Sequence, residues 1–413
     1  MKKSYDVVIA GGSMVGATLA AALGDSRLHV AVIESQPLEP ITDQPDLRVS
    51  AITLASQTVF ENLDVWDAMR RQRATPVERM QIWEGQSVLN YDSADIGEPC
   101  LTWIVENRVM VNALVTRLRQ YSNVELLNPA QLTAVDMDAD RVRISLNTGP
   151  VLTARLLVGA DGADSAVRKA AAIDWRRHDL DQSALVARIR TEHPHEHTAY
   201  QHFLPSGPLA LLPLDDLHTV SMVWSADRPR ARVLAALDDP AFNLELQQAF
   251  GSRLGRLQVA GPRASFPLAL GFADMYTCER IALIGDAAHT VHPLAGQGVN
   301  LGILDAVTLA EVLQGAIGRD IGLHPLLRRY ERARKGADLG MQLVTGGFRY
   351  LFGSEWPPVR AFRRGGLTLT ERLLPLKNAI MRQASGLTGE LPTLARRTAN
   401  RLQRRSDPRP RLE

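Results

Sequence analysis

Gly285-Asp286-Ala287-Ala288-His289, followed by Pro293 and by Gly296-Gln297-Gly298-Val299-Asn300-Leu301, sets one carboxylate at the head of a stretch of small residues. Before it runs Arg280-Ile281-Ala282-Leu283-Ile284, a short apolar run with the form of a buried strand. An aspartate where a strand meets its loop offers acceptors to sugar-like hydroxyls. The small residues let backbone N–H groups approach a ligand closely. The apolar pattern over 299–313 predicts a helix. Its N-terminal end carries partial positive charge and free donors, which suit an anion or an electron-rich ring edge. The bland alternative is an ordinary strand–loop–helix with a chance aspartate.

That segment does not stand alone. Tyr5-Asp6-Val7-Val8-Ile9-Ala10 reads as a strand, and Gly11-Gly12-Ser13-Met14-Val15-Gly16 as the turn after it. Residues 17–23 read as an Ala/Leu-rich helix, and Val30-Ala31-Val32-Ile33, closed by Glu34, as the next strand. This is the setting of a dinucleotide-binding turn, with an acid about 20 residues on for a ribose hydroxyl. Ser13 stands where a second glycine usually lets the backbone approach a pyrophosphate. Serine is small and donates a hydrogen bond, so the change reads as tolerated. Glu34 favours an adenosine with a free 2′-hydroxyl, as in FAD or NAD, and repels a 2′-phosphate. The competing reading is a Gly-rich turn in another α/β fold. A third run, Ala154-Arg155-Leu156-Leu157-Val158, ends in Gly159-Ala160-Asp161-Gly162-Ala163-Asp164-Ser165, with Arg168 beyond. By itself, Asp-Gly is an ordinary turn signal.

The 413 residues suffice for two domains with a sizeable core. A net charge of +2 gives no global argument for nucleic acid. Cys100 and Cys278, far apart, make neither a disulfide framework nor a metal spacing, so a reducing cytosol is the simplest reading. The short apolar run after Met1-Lys2-Lys3 does not read as a signal peptide. No stretch reaches the ~18 apolar residues of a spanning helix.

The three motifs, in this order and spacing, resemble those of the flavoprotein aromatic hydroxylases that use one FAD and no separate nicotinamide domain. Gly11, Gly12, Gly16 and Glu34 match the ADP-binding fingerprint of that family. Gly159-Ala160-Asp161-Gly162 with Ser165 and Arg168 matches its middle motif, and Gly285-Asp286 its ribityl-binding motif. The resemblance narrows to the ubiquinone-biosynthesis ring hydroxylases at Asp46-Leu47-Arg48-Val49-Ser50-Ala51-Ile52, at Val105-Glu106-Asn107 and over 285–302. It implies that Arg48 and Asn107 also contact the cofactor. The implied FAD-binding set is Gly11, Gly12, Ser13, Gly16, Glu34, Arg48, Asn107, Asp161, Asp286, Pro293, Gly296, Gly298, Val299 and Asn300. No catalytic residue is named, and no metal ligand.

The family implies non-covalent FAD, an external electron donor (NAD(P)H or a redox protein) and O₂ as co-substrates. It implies a flavin C4a-hydroperoxide that hydroxylates the ring of a polyprenylated phenol or benzoquinol. Resemblance at 47–52 and around 382–387 leans to the first ring hydroxylation, at C5. A lipophilic prenylated substrate points to the cytoplasm at the periphery of the inner membrane, and to other ubiquinone-biosynthesis proteins as partners. Two other classes share the nucleotide motifs: a flavin-dependent reductase of an isoprenoid, and a non-catalytic flavoprotein subunit.

The expected architecture is α/β: a Rossmann-like FAD-binding domain, an inserted antiparallel β-rich substrate domain and a C-terminal helical region. Short strand candidates at 183–190, 199–204, 209–212 and 219–224 mark the insertion. The expected division is 1–75, 104–179 and 274–345 for FAD, 76–103 and 180–273 for substrate, 346–395 helical, and 396–413 a basic tail. Trp83, Tyr91 and Trp103 are expected on an excursion that joins the substrate sheet. His193-Pro194-His195-Glu196-His197, with His202 near, has imidazoles in metal-ligand spacing but reads as a solvated loop. Residues 396–411 hold seven arginines and one aspartate. They read as a frayed tail or as a contact with anionic lipid.

Overall fold

The structure, a computed structural model, describes residues 3–38, 40–42, 45–291, 297–353, 365–366 and 369–397. Pro293, Gly296, Trp356-Pro357-Pro358 and residues 398–413 lie outside the described residues.

The first crossover is β1 (Lys3–Ala10), α1 (Met14–Ala22) and β2 (Val30–Ile33). Val7, Val8 and Ile9 and all of β2 are buried, the pattern of strands covered on both faces. Next come β3 (Val49–Thr53), α2 (Leu54–Asn62), α3 (Trp66–Arg73), β4 (Ala74–Val77), β5 (Arg79–Glu84), β6 (Ser87–Asp92), β7 (Thr102–Glu106) and α4 (Asn107–Leu118). The strands β8 (Val124–Leu127), β9 (Leu132–Met137), β10 (Val142–Leu146) and β11 (Val151–Gly159) lead to α5 (Ala166–Ala170). Then follow β12 (Trp175–Thr191), β13 (Thr198–Leu204), β14 (Gly207–Pro213), β15 (Thr219–Asp227), α6 (Arg228–Ala236), α7 (Asp239–Phe250) and β16 (Leu257–Ala273). The remainder is β17 (Thr277–Cys278), β18 (Ile281–Leu283), β19 (His289–Thr290), α8 (Gln297–Gln314), α9 (His324–Gly353) and α10 (Leu374–Ala384).

Among the described residues the strands form three sheets. In the first, β18-β11-β1-β2-β8 run parallel, with β17, β10 and β9 antiparallel at its margins. The second has the order β19-β16-β12-β15-β14-β13-β5-β6 and is antiparallel except for the β13–β5 pair. The third is β3-β7-β4. The fold is therefore α/β, a Rossmann-like parallel sheet beside an antiparallel one.

The second sheet sorts its side chains by twos, as pleating dictates. Leu209, Leu211, Met222 and Trp224 enter a core with Phe242, Leu246 and Phe250 of α7. Their neighbours Ala210, Leu212, Val223 and Ser225 face the other way, into a cavity.

Several sequence expectations need correcting. Trp103 lies on β7, paired with β3 and β4, whereas Trp83 and Tyr91 join the second sheet through β5 and β6. After β6 the chain turns at Ser93–Ile96 and pairs back towards the cofactor side. Boundaries at 75/76, 103/104, 179/180 and 345/346 fall inside β4, β7, β12 and α9. Composition shifts along β12, and its pairing with β16 spans Trp175 to Thr191 with register shifts between Asp179 and Gln182 and between Ala187 and Ile189. His195 is not solvated. It is buried, and its Nε2 meets the carbonyls of Leu214 and Asp216 at 2.9 and 3.2 Å, while Nδ1 accepts from the His197 N–H. The basic tail does not begin at 396, because Arg397 makes two 2.8 Å bonds to the Glu98 carboxylate.

Candidate cofactor and substrate cavities

The carboxyl ends of four parallel strands meet at one crevice, where open α/β sheets bind ligands. β1 turns at Gly11, whose φ of +101° favours glycine. A Cβ there would sit 2.2 Å from the Ala160 carbonyl oxygen, so the turn after β1 lies against the turn after β11. A Cβ at Gly16 would sit 1.9 Å from the Gly11 oxygen, which lets α1 pack directly on the turn. The Ala160 N–H donates to Ala10 and the Ile284 N–H to Gly159, binding the three motifs edge to edge.

The crevice is a cavity of about 860 Å³. Gly11, Ser13 and Glu34 line one end of the set. Ser13 is the N-cap of α1, but its side chain makes no capping bond and is exposed into the cavity. Glu34 accepts from the Gly12 and Gln36 N–H groups, both at 2.8 Å, one on each carboxylate oxygen. Lone pairs on both oxygens are left for a further donor.

Asp161 and Asp286 line the same cavity. One oxygen of Asp161 accepts from the Ala166 and Val167 N–H groups at the start of α5, and Oδ1 is buried without a partner among the described residues. Asp286 is exposed into the cavity, and the surrounding protein pushes its carboxyl above the ordinary value, against the pull of His289 and Arg48. Arg48 lines the opposite wall, its guanidinium 5.4 Å from the Phe266 ring centroid. Asn107 opens α4 beside it. Its N–H donates to Arg48, and its Oδ1 accepts from Ser50 at 2.7 Å. Gly298 and Val299, in the first turn of α8, complete the lining.

Not every expected residue faces this space. Gly12 and Gly16 are packing positions: a Cβ at Gly12 would meet the Glu34 Cβ at 2.9 Å. The Asn300 side chain is buried and points at β3, accepting from the Thr53 N–H at 2.9 Å and donating to Ala51 at 2.7 Å. It fastens α8 to β3 instead of lining the cavity.

Behind the Asp286 turn sits a buried ionic cluster that the motifs did not reveal. Asp305 accepts from the Gly285 N–H at 3.0 Å and meets His289 Nε2 at 2.6 Å on the same oxygen. Its other oxygen takes the Arg334 Nε at 2.7 Å, and Arg334 also bonds Asp338 at 2.9 Å. Burial alone would depress the His289 imidazole, but Asp305, helped by Asp338, pushes it up to about 9. Burial works against the Asp305 charge too, yet His289 and Arg334 hold that carboxyl down at about 2. Burial and repulsion from Asp305 raise Asp338 to about 7. Ligand atoms of His289, Asp305 and Asp338 lie within 4.8 Å of one another, a grouping that could hold a metal. The Arg334 guanidinium already supplies a cation to both carboxylates. The sequence signal was an acid, Asp305, among the apolar residues Leu301, Ile303, Leu304, Ala306 and Val307 of α8, and the i,i+4 pair Arg334 and Asp338. Arg168 has a related role. Its guanidinium bonds the Ala287 and Ala163 carbonyls at 2.8 and 2.6 Å and stacks 3.9 Å from the Trp175 ring, tying the middle motif to the Asp286 turn.

A second cavity, about 230 Å³, opens between the second sheet, β3 and α10. Val49, Met80, Tyr91, Ile104, Leu212 and Met381 give its character, which is apolar. Val49 lines both cavities. Tyr91 is the titratable side chain among its described lining residues, and burial pushes that phenol up to about 12.

A nucleotide-type crevice that shares a wall with an apolar cavity defines an enzyme that brings a bound cofactor against an apolar substrate. Residues 4–344 match the FAD binding domain family. The chain is 39% identical over 402 residues to ubiquinone hydroxylase UbiL of Rhodospirillum rubrum, covering 95% of this chain and 93% of that protein. It is 37% identical over 387 residues to 3-demethoxyubiquinol 3-hydroxylase of Escherichia coli, covering 92% and 98%. In structure it is similar to p-nitrophenol 4-monooxygenase PnpA of Pseudomonas putida, with a TM-score of 0.78 at 21% identity over 94% of this chain and 100% of that one. The chain belongs to the ubiquinone-biosynthesis ring hydroxylases of the FAD-dependent monooxygenase family. FAD is its cofactor and O₂ its oxidant. No described helix is long and apolar enough to cross a membrane.

Proposed function

We propose that this enzyme hydroxylates the ring of a polyprenylated phenol, at C5 in the first ring hydroxylation of ubiquinone biosynthesis, at the periphery of the inner membrane. The observation that supports ring hydroxylation is Val49, one residue lining both the cofactor crevice and the apolar cavity; the choice of C5 rests on the resemblance at 47–52 and around 382–387. A ring in the second cavity lies against whatever occupies the first.

The residues present fit FAD. Glu34 has unfilled acceptor positions for a ribose. The first turn of α1, with Gly11 and Ser13 facing the cavity, offers N–H groups to a pyrophosphate. Asp286 is placed for hydroxyls of the ribityl chain, and Asp161 brings its unpartnered oxygen to the same wall. Gly298 and Val299 present the N-terminal end of α8 to the flavin ring edge, where it favours negative charge. Arg48 and Asn107 close the far side. Bound there, FAD supplies the two-electron chemistry that activates O₂. An external donor, NAD(P)H or a redox protein, provides the electrons; one oxygen atom enters the ring and the other leaves as water.

The chain itself positions and excludes water. The apolar walls desolvate the ring. Tyr91 stays protonated and can donate to a ring substituent, so it is no base. Turnover under labelled O₂ with a polyprenylated phenol should give a product with one labelled oxygen, placed at C5 by NMR. A reduced, unlabelled product would select the reductase reading, and no oxygen or reductant consumption the non-catalytic one. The 37% identity to a 3-demethoxyubiquinol 3-hydroxylase favours a second reading, position 3, which the same spectrum separates.

A further inference from the structure

The helix α10 is built inside out. Its polar side chains point at the protein. Lys377 is buried and pairs with Asp95 at 3.2 Å, Asn378 donates to the Asp95 carbonyl, and Arg382 donates to Ile96. Met381 is buried too, but the other large apolar side chains of α10 and of the segment before it are exposed. Leu369, Leu373, Leu376 and Ile380 are 39–55% exposed. Leu376 and Ile380, four apart, share a face of α10, and Leu373, its N-cap, and Leu369, in the helical turn before it, extend this exposed apolar stripe. The helix is interrupted at Leu373 (φ −99°, ψ 82°), although the Leu373 N–H donates to Leu369 and the Lys377 N–H to Leu373 across the break. A helix that ends in water normally shows the opposite arrangement.

Two observations decide what covers this stripe. Ile380 belongs to it and also lines the apolar cavity, so the stripe runs into the cavity's wall. A substrate entering along it would leave an apolar medium. The second observation is charge. Residues 346–413 hold 14 of the 47 basic residues and 5 of the 45 acidic ones, a net +9 in a chain whose total is +2, which leaves −7 for residues 1–345. A segment with exposed leucines and concentrated positive charge has the chemistry of an interfacial helix on anionic lipid.

We propose that the Leu369–Leu373–Leu376–Ile380 stripe lies on an anionic lipid surface and passes the isoprenoid tail of the substrate from the bilayer to the apolar cavity. This rests on the reading of the substrate as a prenylated phenol. The cavity is small, so the ring occupies it and a long tail extends along the stripe.

The test uses the full-length holoenzyme and the double variant Leu373→Ser, Leu376→Ser; neither residue lines a cavity. Flotation is measured with phosphatidylcholine vesicles and with vesicles also containing phosphatidylglycerol. Turnover is measured with a long-tailed phenol held in the vesicles and with a short-tailed phenol in solution. Native protein should float with the anionic vesicles and less with neutral ones. The variant should lose at least about tenfold in vesicle affinity, from the two leucines no longer buried. It should lose turnover of the long-tailed substrate in proportion while keeping FAD content and short-tail turnover. Equal flotation of variant and native protein overturns the proposal, as does an equal fall in turnover of both substrates. A dimer in the native protein that the variant abolishes, without change in flotation, assigns the stripe to a second copy and also overturns it. If the native enzyme hydroxylates neither phenol, the substrate reading fails, while flotation still decides the lipid contact.

Discussion

The Asp305 carboxylate holds the backbone N–H of Gly285 at 3.0 Å from twenty residues further along the chain. The turn that presents Asp286 to the cofactor cavity is thus anchored from below by a buried acid on α8. The same oxygen meets His289, so one residue fixes both ends of that turn.

Asp305→Ala should destabilise the protein by about 3–5 kcal/mol, because it leaves Asp338 alone to balance two buried cations, His289 and Arg334. Thermal unfolding of the apoprotein measures this. Asp305→Asn keeps an acceptor for Gly285 and should lie between the alanine variant and the native protein.

The cluster also predicts a pH dependence. The folded protein raises His289 from 6.5 to about 9, so its contribution is whole below pH 6.5 and is lost as pH climbs towards 9. Asp338, raised from 3.8 to about 7, acts in the same direction, with stability falling as pH rises between those values. The melting temperature should therefore decline from mildly acidic to alkaline pH, and His289→Asn should flatten the part of the curve above pH 6.5. An unchanged alkaline slope in that variant would remove His289 from the account.

Asp286→Ala should purify pale and largely without FAD, yet folded. Loss of a charged acceptor in an enclosed site costs about 1.5–3 kcal/mol, a tenfold to hundredfold fall in affinity. Equilibrium dialysis against FAD reads it directly, and native affinity in the variant would mean that the hydroxyls are held elsewhere.

At Ser13 the expected effect is small. The hydroxyl makes no capping bond, so Ser13→Gly should leave FAD binding unchanged or slightly tighter, with turnover intact. A large loss of bound flavin on titration would make the hydroxyl a required ligand.

Truncation at the C-terminus should divide in two. Removing residues 398–413 should leave melting temperature and FAD content unchanged and weaken binding to anionic vesicles, most at low salt. Removing 396–413 also takes away the Arg397–Glu98 pair and should lower stability by about 1 kcal/mol or more, since Glu98 is nearly buried. Equal vesicle binding by the shorter and full-length proteins at low salt would exclude the tail as a lipid contact.

What was legible in the sequence follows from how far each feature reaches along the chain. The strand–turn–helix segments around Gly11, Asp161 and Asp286 were legible because each carries its geometry in a single local turn. Asn300 shows where locality ends: it sits in the motif beside Gly298, but its side chain is claimed by Ala51 and Thr53 of a distant strand. Asp305 went unread for the same reason, since its partners come from a turn before it and a helix after it. His195 looked like a loop residue because nothing near it in sequence shows that the carbonyls of Leu214 and Asp216 close over its ring. The expected domain boundary at 179/180 falls inside β12, one strand that serves two environments, because its pairing with β16 resumes beyond the register shift between Asp179 and Gln182.

The alternation along β13, β14 and β15 separates two kinds of tolerance. Ala199, Gln201, Ala210, Leu212, Val223 and Ser225 shape the apolar cavity, while the residues between them face the α7 side. A change at a cavity position can reshape the space offered to a ring and leave the opposite layer untouched. New ring preferences are therefore reachable by single substitutions on a scaffold that keeps its stability, and the record of such a preference is written in every second residue of three adjacent strands.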